Sequence, residues 1–414
     1  MNTIQIPRRF VADPWGGTET VVLETSKRLI EKGHPTEIYT SMAMSDRPSE
    51  SIEGVPVRRF QHFYPYLGLG DEQRKALDFK AGNLFSFDLW RDLSARKDAD
   101  VLHLHTGKRM GGIVRTVAAK RGIPYVLSLH GGLLTAPATE VSGWTDPTKG
   151  CFEWGRFLGA MVGARSVVES AAAIVCVSRA EAESVSAAHP SKRVVVLPNG
   201  VDPDAGIGAD GAGWRADMGI PPDASLLLLV GRIDPQKGQL HAIRALATLR
   251  SRFEGAHLVI VGGVTDPAYC DQLREEVASG QLEGRVHIVP GYPRGDRRLW
   301  QAFAAADIVL VPSRHEPFGI VVLEAWSMGK PVVASAVGGL LDLVQPDIDG
   351  LLAPPENSAE LAAHVGKLLE NPGLARSLGE AGRQKAVCQY SWEAISNQLI
   401  DLYEEVRRAH RVRP

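Results

Sequence analysis

Short apolar runs alternate with helix-like segments along most of the chain. In the first half, the segments ADVLHLH and AAAIVCVS have the pattern of buried strands, and each is followed by a segment with helical character. The second half begins this series again with SLLLLV and continues with HLVIVGG and ADIVLVPS. Buried strands that alternate with helices are typical of parallel, doubly wound sheets, which bind ligands at the carboxyl ends of their strands. The pattern therefore predicts two α/β domains with candidate sites at those strand ends.

The length and one flexible stretch predict where the domains divide. A chain of 414 residues exceeds one typical domain and suits two domains of roughly 200 residues each. The segment LPNGVDPDAGIGADGAG is rich in Gly, Pro and Asp and resembles a hinge. We place an N-terminal domain at 1–205, a C-terminal domain at 206–390 and a strongly patterned terminal helix within 391–414.

Composition and charge narrow the class of protein. A hydrophobic content of 44% and a net charge of -2 are ordinary for a globular protein and give no electrostatic reason to expect a nucleic acid partner. No apolar run is long enough to cross a membrane, and the N-terminus lacks the apolar core of a signal peptide. We expect a reduced, cytoplasmic enzyme without a structural metal, because the four cysteines are widely spaced. They are Cys151, Cys176, Cys270 and Cys388. Peripheral contact with the inner face of the membrane and the oligomeric state both stay open.

The stretch from Ser313 to Gly339 carries the most specific candidate chemistry. We predict a turn at SRHEP, a short apolar helix from Phe318 to Met328 with Pro317 suited to its first position, and a buried strand at PVVAS. Gly319 would let a ligand approach the helix start closely, and the unpaired amides and helix dipole favour an anion there. The helix start is therefore a candidate site for a diphosphate.

Two carboxylates accompany this helix start. Glu316 lies in the turn and can accept hydrogen bonds from sugar hydroxyls, whereas Glu324, about two turns further on, can accept from a ribose. Both could instead be solvated surface charges, because most charged residues are exposed. Glu324, however, lies inside the apolar run IVVLEAW, where a carboxylate without a partner is costly. The arrangement suits a sugar nucleotide.

The segment HEPFGIVVLEAWSMGKPVVAS resembles the Glu-x7-Glu signature of retaining glycosyltransferases, specifically the family 4 group (glycosyl transferases group 1). The similarity extends over about residues 10–405 and includes the PFG motif and the Gly338–Gly339 turn. It implies the GT-B fold, in which two Rossmann-like, doubly wound domains face each other across a cleft and a C-terminal helix crosses back to the N-terminal domain. The implied reaction moves a hexose from a UDP- or GDP-linked donor to an acceptor hydroxyl with the anomeric configuration retained. No cofactor or metal is expected, since enzymes of this type usually need no divalent ion and the nucleotide sugar is a co-substrate.

The second half contains further candidate donor-binding residues. Two cations after a strand, Arg232 and Lys237, are well placed to neutralise a departing diphosphate, and GRIDPQKG resembles the GR-x5-KG motif of the family. The resemblance also implies that Val289 and Pro290 border the base. Amides over Phe318, Gly319 and Ile320 are expected to assist with the diphosphate.

The first half supplies residues by resemblance and by their position at strand ends. The GGTE segment is similar to a family loop that faces the donor phosphates and the acceptor, although a Gly pair alone is a common strand–helix turn. His130, in SLHGG, matches the family position that faces the donor sugar near the reacting carbon. The donor-side residues of this loop are Gly16 and Gly17, and the acceptor-side candidates are Glu19, His105 and Asn199.

Several alternatives stay open. The acceptor could be a polysaccharide, a glycolipid, a small polyol or a sugar phosphate, and a transferase like sucrose-phosphate synthase would use a small sugar. A sugar-nucleotide epimerase of GT-B fold would need acid–base carboxylates that we cannot identify, and a non-catalytic sugar-nucleotide binder is the third alternative. The segment TAPATEVSGWTDPTKGCFEWGRF is either a lid or acceptor-binding element or an irregular surface excursion.

Overall fold

The computed structural model describes residues 1–12, 15–79, 82–131 and 146–411. The chain divides into two compact units: unit 1 consists of Met1–Pro198 with Ile395–Pro414, and unit 2 consists of Asn199–Ala394. These divisions lie a few residues from the boundaries expected at 205/206 and 390/391. Residues 135–145 of the predicted lid segment, which spans 135–157, lie outside the described residues.

The strands fall into one large sheet in each unit and one small ribbon. In chain order they are β1 (Thr3–Ile6), β2 (Thr36–Ser41), β3 (Ser49–Ile52), β4 (Val55–Phe60), β5 (Tyr66–Leu67), β6 (Val101–Leu104), β7 (Tyr125–Ser128), β8 (Phe152–Glu153), β9 (Ala173–Cys176), β10 (Val194–Val196), β11 (Ser225–Val230), β12 (Ala256–Val261), β13 (Val286–Val289), β14 (Ile308–Val311), β15 (Val332–Ser335) and β16 (Leu351–Ala353).

The α-helices follow the strands in alternation over most of the chain. The described helices are α1 (Gly17–Glu31), α2 (Asp71–Phe79), α3 (Phe87–Ala95), α4 (Lys108–Arg121), α5 (Arg156–Met161), α6 (Val167–Ser170), α7 (Arg179–Ala188), α8 (Gly211–Asp217), α9 (Gln239–Leu249), α10 (Pro267–Ser279), α11 (Arg297–Ala305), α12 (Ile320–Ser327), α13 (Leu340–Leu343), α14 (Ser358–Glu370), α15 (Pro372–Tyr390) and α16 (Trp392–Arg411). Three single-turn 3-10 helices lie at Asp146–Thr148, Ala164–Ser166 and Pro235–Lys237.

The sheet of unit 1 has eight strands in the order β10-β9-β7-β6-β1-β2-β4-β3. All neighbours are parallel except β3 and β4, while β5 and β8 form a separate antiparallel ribbon. The chain runs outward from β1 to β2 and β4 and then returns to place β6 on the other side of β1. Such a reversal of strand order opens a crevice at the carboxyl ends of the two central strands. In unit 1 it therefore lies beyond β1 and β6.

The sheet of unit 2 has six parallel strands in the order β13-β12-β11-β14-β15-β16. Its reversal of strand order falls between β11 and β14, so the loops after these two strands meet at one edge. Strands β14 and β15 are buried along their whole length, which explains their unbroken apolar sequences. The predicted fold class, α/β with two doubly wound parallel sheets, is confirmed.

Local signals place several helix starts. The Ser178 hydroxyl accepts a hydrogen bond from the amide of Glu181 at the start of α7, and Asp266 caps α10 ahead of Pro267. The predicted start at Phe318 was wrong, because Gly319 has a φ of 103° and α12 begins only at Ile320. A left-handed residue cannot continue a right-handed helix, so Pro317 lies in the preceding turn. Strand β3 was not anticipated, since its SESI sequence is half-exposed.

A tight contact between α15 and α12 lies in the core of unit 2. The Trp326 side chain is fully buried, and its indole Nε1 donates to the carbonyl oxygen of Asp349 at 2.9 Å. A Cβ atom at Gly382 would lie 2.2 Å from Trp326 Cδ1, whereas a Cβ atom at Gly373 in the same helix would meet nothing within 4 Å. Only hydrogen fits at Gly382.

We expect Gly382→Ala to lower the free energy of unfolding by about 1–3 kcal/mol, because an overpacked core must shift a buried indole. Gly373→Ala, the control, should leave stability unchanged or raise it slightly. Denaturant unfolding of both variants measures the difference. Equal stability of the two variants would contradict this packing.

Candidate functional site

Two loops meet at the reversal point of the unit 2 sheet. Lys237, at the end of the loop after β11, places Nζ 2.7 Å from Glu316 Oε2 in the loop after β14. The Ser313 hydroxyl donates to the same carboxylate oxygen at 3.2 Å. The Lys237 and Glu316 side chains are only 19% and 12% exposed. The two residues singled out from separate motifs are therefore brought together, and no described residue donates a hydrogen bond to Glu316 Oε1.

Backbone hydrogen bonds hold these loops in register. The Arg314 amide donates to the carbonyl oxygen of Gln236 at 2.8 Å, and Gln236 Nε2 donates to the carbonyl oxygen of His315 at 3.1 Å. These two hydrogen bonds join the loop that carries Lys237 to the loop that carries Glu316, and each of them involves backbone atoms. Its geometry does not depend on two flexible side chains alone.

The Gly338–Gly339 turn packs directly against the backbone of Glu316. The Gly339 amide donates to the carbonyl oxygen of Glu316 at 2.9 Å. A Cβ atom at Gly338, which has a φ of 49°, would lie 2.3 Å from that same oxygen, and one at Gly339 would lie 2.3 Å from the carbonyl oxygen of Pro317. Glycine at both positions is therefore a steric requirement of the loop that carries Glu316.

Arg232 lies at the other end of the loop that carries Lys237. Its guanidinium contacts Asp234 Oδ2 at 3.3 Å and donates to Gln236 Oε1 at 3.2 Å, while its side chain is 53% exposed. Asp234 Oδ1 also accepts from the Gln236 amide and caps the 3-10 turn. One short loop therefore presents two cations at the carboxyl edge of the sheet.

Glu324 has an environment unlike that of Glu316. It is half-buried on α12, and its carboxylate has no hydrogen-bond or ion-pair partner among the described residues. Desolvation by the surrounding apolar side chains raises the pKa of Glu324 to about 7. A half-buried carboxyl group without a protein partner is suited to a ligand hydroxyl.

The start of α12 contributes backbone groups. Phe318 is buried, with its ring centroid 6.3 Å from that of Tyr390, and a Cβ atom at Gly319 would lie 2.6 Å from Leu340 Cδ2. Ile320 is the first residue of the helix, whose initial amides have no acceptor within the helix. The turn thus fixes where these amides point.

The predicted base-binding residues lie at the edge of the same sheet. Val289 is the last residue of β13 and is half-buried, and Pro290 follows it exposed. A Cβ atom at the next residue, Gly291, would lie 2.9 Å from the amide nitrogen of Gly263. The contact of Val289 and Pro290 with a base stays a prediction.

Two histidines come together at the carboxyl edge of the unit 1 sheet. His105 follows β6 and His130 follows β7, and His105 Nδ1 lies 3.0 Å from His130 Nε2 with the rings stacked. Glu181, on α7, accepts hydrogen bonds from the amides of Gly131 at 2.9 Å and Val177 at 3.0 Å. This buried carboxylate fixes the turn that carries His130. Sequence reasoning missed Glu181, although its place in the first turn after a capping serine was a usable signal.

The predicted GGTE loop begins helix α1. Gly16 is its N-cap and Gly17 its first residue, and Glu19 is buried with Oε1 2.9 Å from Arg9 Nη2. Glu19 is thus engaged by an arginine, and its contact with an acceptor stays a prediction. Asn199 is buried at the first position of unit 2, and its side chain makes no hydrogen bond within the described ranges.

A cavity of about 450 Å³ lies beside the two histidines in unit 1. Lys108 and Arg165 line it with Thr18 and Thr106, and none of the described residues that line it is an Asp or a Glu. The pKa of Lys108 is lowered first by desolvation and then by the positive charges of Arg8 and Arg109. The described lining of the cavity therefore carries two cationic side chains and no carboxylate. Sequence reasoning missed Lys108, although it follows the strand-end segment HLHTG directly.

The described residues form neither a metal-binding cluster nor a membrane-spanning helix. No group of three or more His, Cys, Asp or Glu side chains is placed to hold a metal ion within the described ranges. No helix in the described part of the chain is long and apolar enough to cross a membrane. Metal independence stays a prediction.

The fold is shared with glycosyltransferases of known structure. The chain is similar to sucrose-phosphate synthase from Thermosynechococcus elongatus with a TM-score of 0.74 and 23% identity over 99% of each chain. It is similar to HepE from Anabaena in complex with UDP-glucose with a TM-score of 0.71 and 19% identity, over 98% of this chain and 100% of that one. At these identities the likeness shows the fold alone, and that fold is GT-B.

Sequence comparison gives the family. Residues 212–385 match the model of glycosyl transferases group 1, and residues 16–200 match the glycosyl transferase 4-like domain. D-inositol 3-phosphate glycosyltransferase from Kineococcus radiotolerans is 32% identical, covering 94% of this chain and 90% of the relative. D-inositol 3-phosphate glycosyltransferase 1 from Catenulispora acidiphila is 30% identical, covering 96% of this chain and 93% of the relative.

The chain belongs to the glycosyl transferases group 1 family and is a glycosyltransferase. The predicted family, fold and enzyme class are confirmed, which sets aside the epimerase and the non-catalytic binder.

We expect Lys237→Ala to weaken the binding of UDP or GDP, whichever the wild type binds, by about 10- to 100-fold, since a charge-assisted contact contributes about 1.5–3 kcal/mol. Lys367→Ala is the matched control, because Lys367 forms an exposed pair with Asp347 at 2.8 Å in the same unit. Titration calorimetry without added metal measures all three proteins. Undiminished binding by Lys237→Ala would remove this lysine from the diphosphate site.

Proposed function

We propose that the protein is a retaining hexosyltransferase that uses a UDP- or GDP-linked hexose and a small phosphorylated acceptor. The observation that carries this proposal is the Lys237–Glu316 pair at the reversal point of the unit 2 sheet, with Arg232 on the same loop. An NDP-sugar has two parts that such a pair can address: an anionic diphosphate for the lysine and sugar hydroxyls for the carboxylate.

The cations would act mainly on the departing group. When the bond between the anomeric carbon and the phosphate oxygen breaks, negative charge develops on the diphosphate. Lys237 and Arg232 would stabilise that charge together with the first amides of α12. Both cations already contact carboxylates, Glu316 and Asp234 respectively, so they are oriented before the donor arrives.

The carboxylates would orient the donor. Glu316 Oε1 is available to accept from sugar hydroxyls while Oε2 keeps its contacts with Lys237 and Ser313. Glu324 would contact a ribose hydroxyl and can do so in either protonation state near neutral pH, because its pKa is about 7. The contacts of Gly16, Gly17 and His130 with the donor stay predictions.

The proposed step is a same-face displacement. The acceptor hydroxyl oxygen forms a bond to the anomeric carbon on the side from which the diphosphate leaves. The hydroxyl proton passes to the leaving phosphate oxygen, so the products are the glycoside and the nucleoside diphosphate. No protein nucleophile is needed, and the anomeric configuration is kept.

Among the acceptor classes that the sequence left open, a phosphorylated polyol or sugar phosphate is favoured by the unit 1 cavity. Its lining carries the two cations Lys108 and Arg165 without a carboxylate among the described residues. The relatives from Kineococcus and Catenulispora are named for D-inositol 3-phosphate, a small polyol with one phosphate. Both observations support an anionic acceptor of that size.

Peripheral contact with a membrane and a cytoplasmic location stay predictions. The surface that would make such a contact in unit 1 is an exposed aromatic cluster. The Phe63 ring lies 5.9 Å from Phe87 and 6.1 Å from Trp154, and Trp154 lies 6.0 Å from Phe157. Arg156, which precedes Phe157 in the chain, is exposed and lies 3.6 Å from Glu153 Oε2.

We expect transfer to D-inositol 3-phosphate or a hexose phosphate at low KM and little transfer to the unphosphorylated compounds. Lys108→Ala should raise the acceptor KM roughly 10-fold, the effect of about 1.4 kcal/mol from one charged contact, and leave the donor KM unchanged. Lys120→Ala, exposed near the far end of the same helix, is the control. Steady-state kinetics of nucleoside diphosphate release measures these constants.

Equal use of phosphorylated and neutral acceptors, or an unchanged acceptor KM in Lys108→Ala, would overturn the acceptor assignment. Neither result would affect the donor assignment, which rests on unit 2.

A further inference from the structure

A continuous chain of hydrogen bonds runs through the interior of unit 1 and ends at His130. His130 Nε2 lies 3.0 Å from His105 Nδ1, and His105 Nε2 lies 2.7 Å from Gln5 Oε1. Gln5 Nε2 donates to the Tyr403 hydroxyl at 3.2 Å, and that hydroxyl lies 2.5 Å from His103 Nδ1. These groups come from β1, β6, the turn after β7 and the C-terminal helix α16.

The Gln5 amide sets the direction of the hydrogen bonds that join Tyr403, Gln5, His105 and His130. Its oxygen can only accept, so His105 Nε2 must carry a proton, and a neutral His105 then offers a lone pair at Nδ1. His130 Nε2 must therefore carry the proton that lies between the two rings. At the other end, Gln5 Nε2 donates to Tyr403, whose own proton goes to His103 Nδ1, which leaves His103 Nε2 to donate to the Ser128 hydroxyl at 2.7 Å.

One other arrangement of this hydrogen-bond network gives every donor in it a partner. Turning the Gln5 amide by 180° would reverse each bond, place the His105 proton on Nδ1 and make His130 Nε2 an acceptor. In that state His130 would carry its proton on Nδ1. The direction of the whole hydrogen-bond network therefore determines whether His130 Nδ1 accepts or donates a hydrogen bond.

Burial keeps all three rings neutral. Desolvation lowers the pKa of His103 to about 3 and of His130 to about 4, and it lowers the pKa of His105 well below its ordinary value. No described carboxylate is hydrogen-bonded to any of the rings, and Glu181 is occupied by the amides of Gly131 and Val177. A proton added to His105 Nδ1 would face the Nε2–H of His130 across 3.0 Å. The direction of this hydrogen bond therefore also favours a neutral His105.

We propose that Tyr403, Gln5 and His105 are positioning residues that hold His130 in the Nε2–H tautomer, because Gln5 Oε1 lies toward His105 and Gln5 Nε2 lies toward Tyr403. The lone pair of His130 Nδ1 is thereby presented as a hydrogen-bond acceptor, and no described residue donates to it. A substrate hydroxyl is the group that such an acceptor would take. That last assignment rests on the proposed function, whereas the tautomer itself does not.

The test uses the full chain labelled with ¹⁵N-histidine, because the shifts of the two ring nitrogens report the tautomer directly. We expect neutral, Nε2–H His130 in the wild type from pH 5 to pH 8. Tyr403→Phe removes the acceptor of Gln5 Nε2 and frees the amide to turn, so His130 should become a mixture of tautomers. Tyr39→Phe, another buried tyrosine of unit 1, should leave His130 unchanged.

Kinetics adds a second readout. Tyr403→Phe should lower kcat roughly 10-fold with donor KM within about twofold, since one misdirected hydrogen bond is worth about 1.4 kcal/mol. Tyr39→Phe should keep the wild-type kcat.

An Nδ1–H or charged His130 in the wild type at pH 7 would overturn the proposal, even if Tyr403→Phe failed to fold. An unchanged tautomer in folded Tyr403→Phe would also overturn it. A wild type that transfers no hexose would count against the proposed function and leave the tautomer result standing.

Discussion

The ion pair between Lys237 and Glu316 determines how the unit 2 site is arranged. It joins the loops after the two central strands of a parallel sheet, where the strand order reverses and the carboxyl ends diverge. Neighbouring groups hold this pair in place. The Ser313 hydroxyl donates to the same oxygen of Glu316, and the Gly338–Gly339 turn packs against the loop where any side chain would collide. A charged pair so little exposed would be costly to break, because the remaining charge would lack its partner.

The ion pairs of this site also determine its charge before a ligand binds. Lys237 and Arg232 each form an ion pair with a carboxylate, so the charges of the four groups nearly cancel before a ligand binds. The same ion pairs orient the two cationic side chains. Glu324 differs, since it has no protein partner among the described residues and holds its proton to near neutral pH. The two glutamates of the Glu-x7-Glu motif thus have distinct environments, which their spacing alone does not distinguish. In unit 1, by contrast, the polar groups form a chain of neutral rings beside a cavity whose described lining carries two cationic side chains and no carboxylate.

Sequence patterns predicted the parts that depend on local order. The alternation of apolar strands with helices predicted the sheets, and the GRIDPQKG and HEPFG motifs predicted the residues that meet at the reversal point of unit 2. The start of α12 was misplaced because Pro317 is a common helix starter and the left-handed Gly319 could not be seen from sequence. The Gln5–Tyr403 and His103–Tyr403 contacts were also out of reach, since about 300 to 400 residues separate the partners. The positions of Lys108 beside the cavity and of Glu181 beside the Gly131 amide depend on tertiary contacts that the sequence pattern does not show.

The stereochemistry of the product distinguishes the proposed same-face displacement from an inverting reaction. Proton NMR would follow the anomeric signal of the first product formed from a UDP- or GDP-hexose in the presence of excess chelator. We expect the glycoside to keep the donor's anomeric configuration and to form at an undiminished rate without divalent ions. An inverted product would contradict the same-face displacement, and transfer that stops when metal is removed would contradict the assignment of leaving-group stabilisation to Lys237 and Arg232.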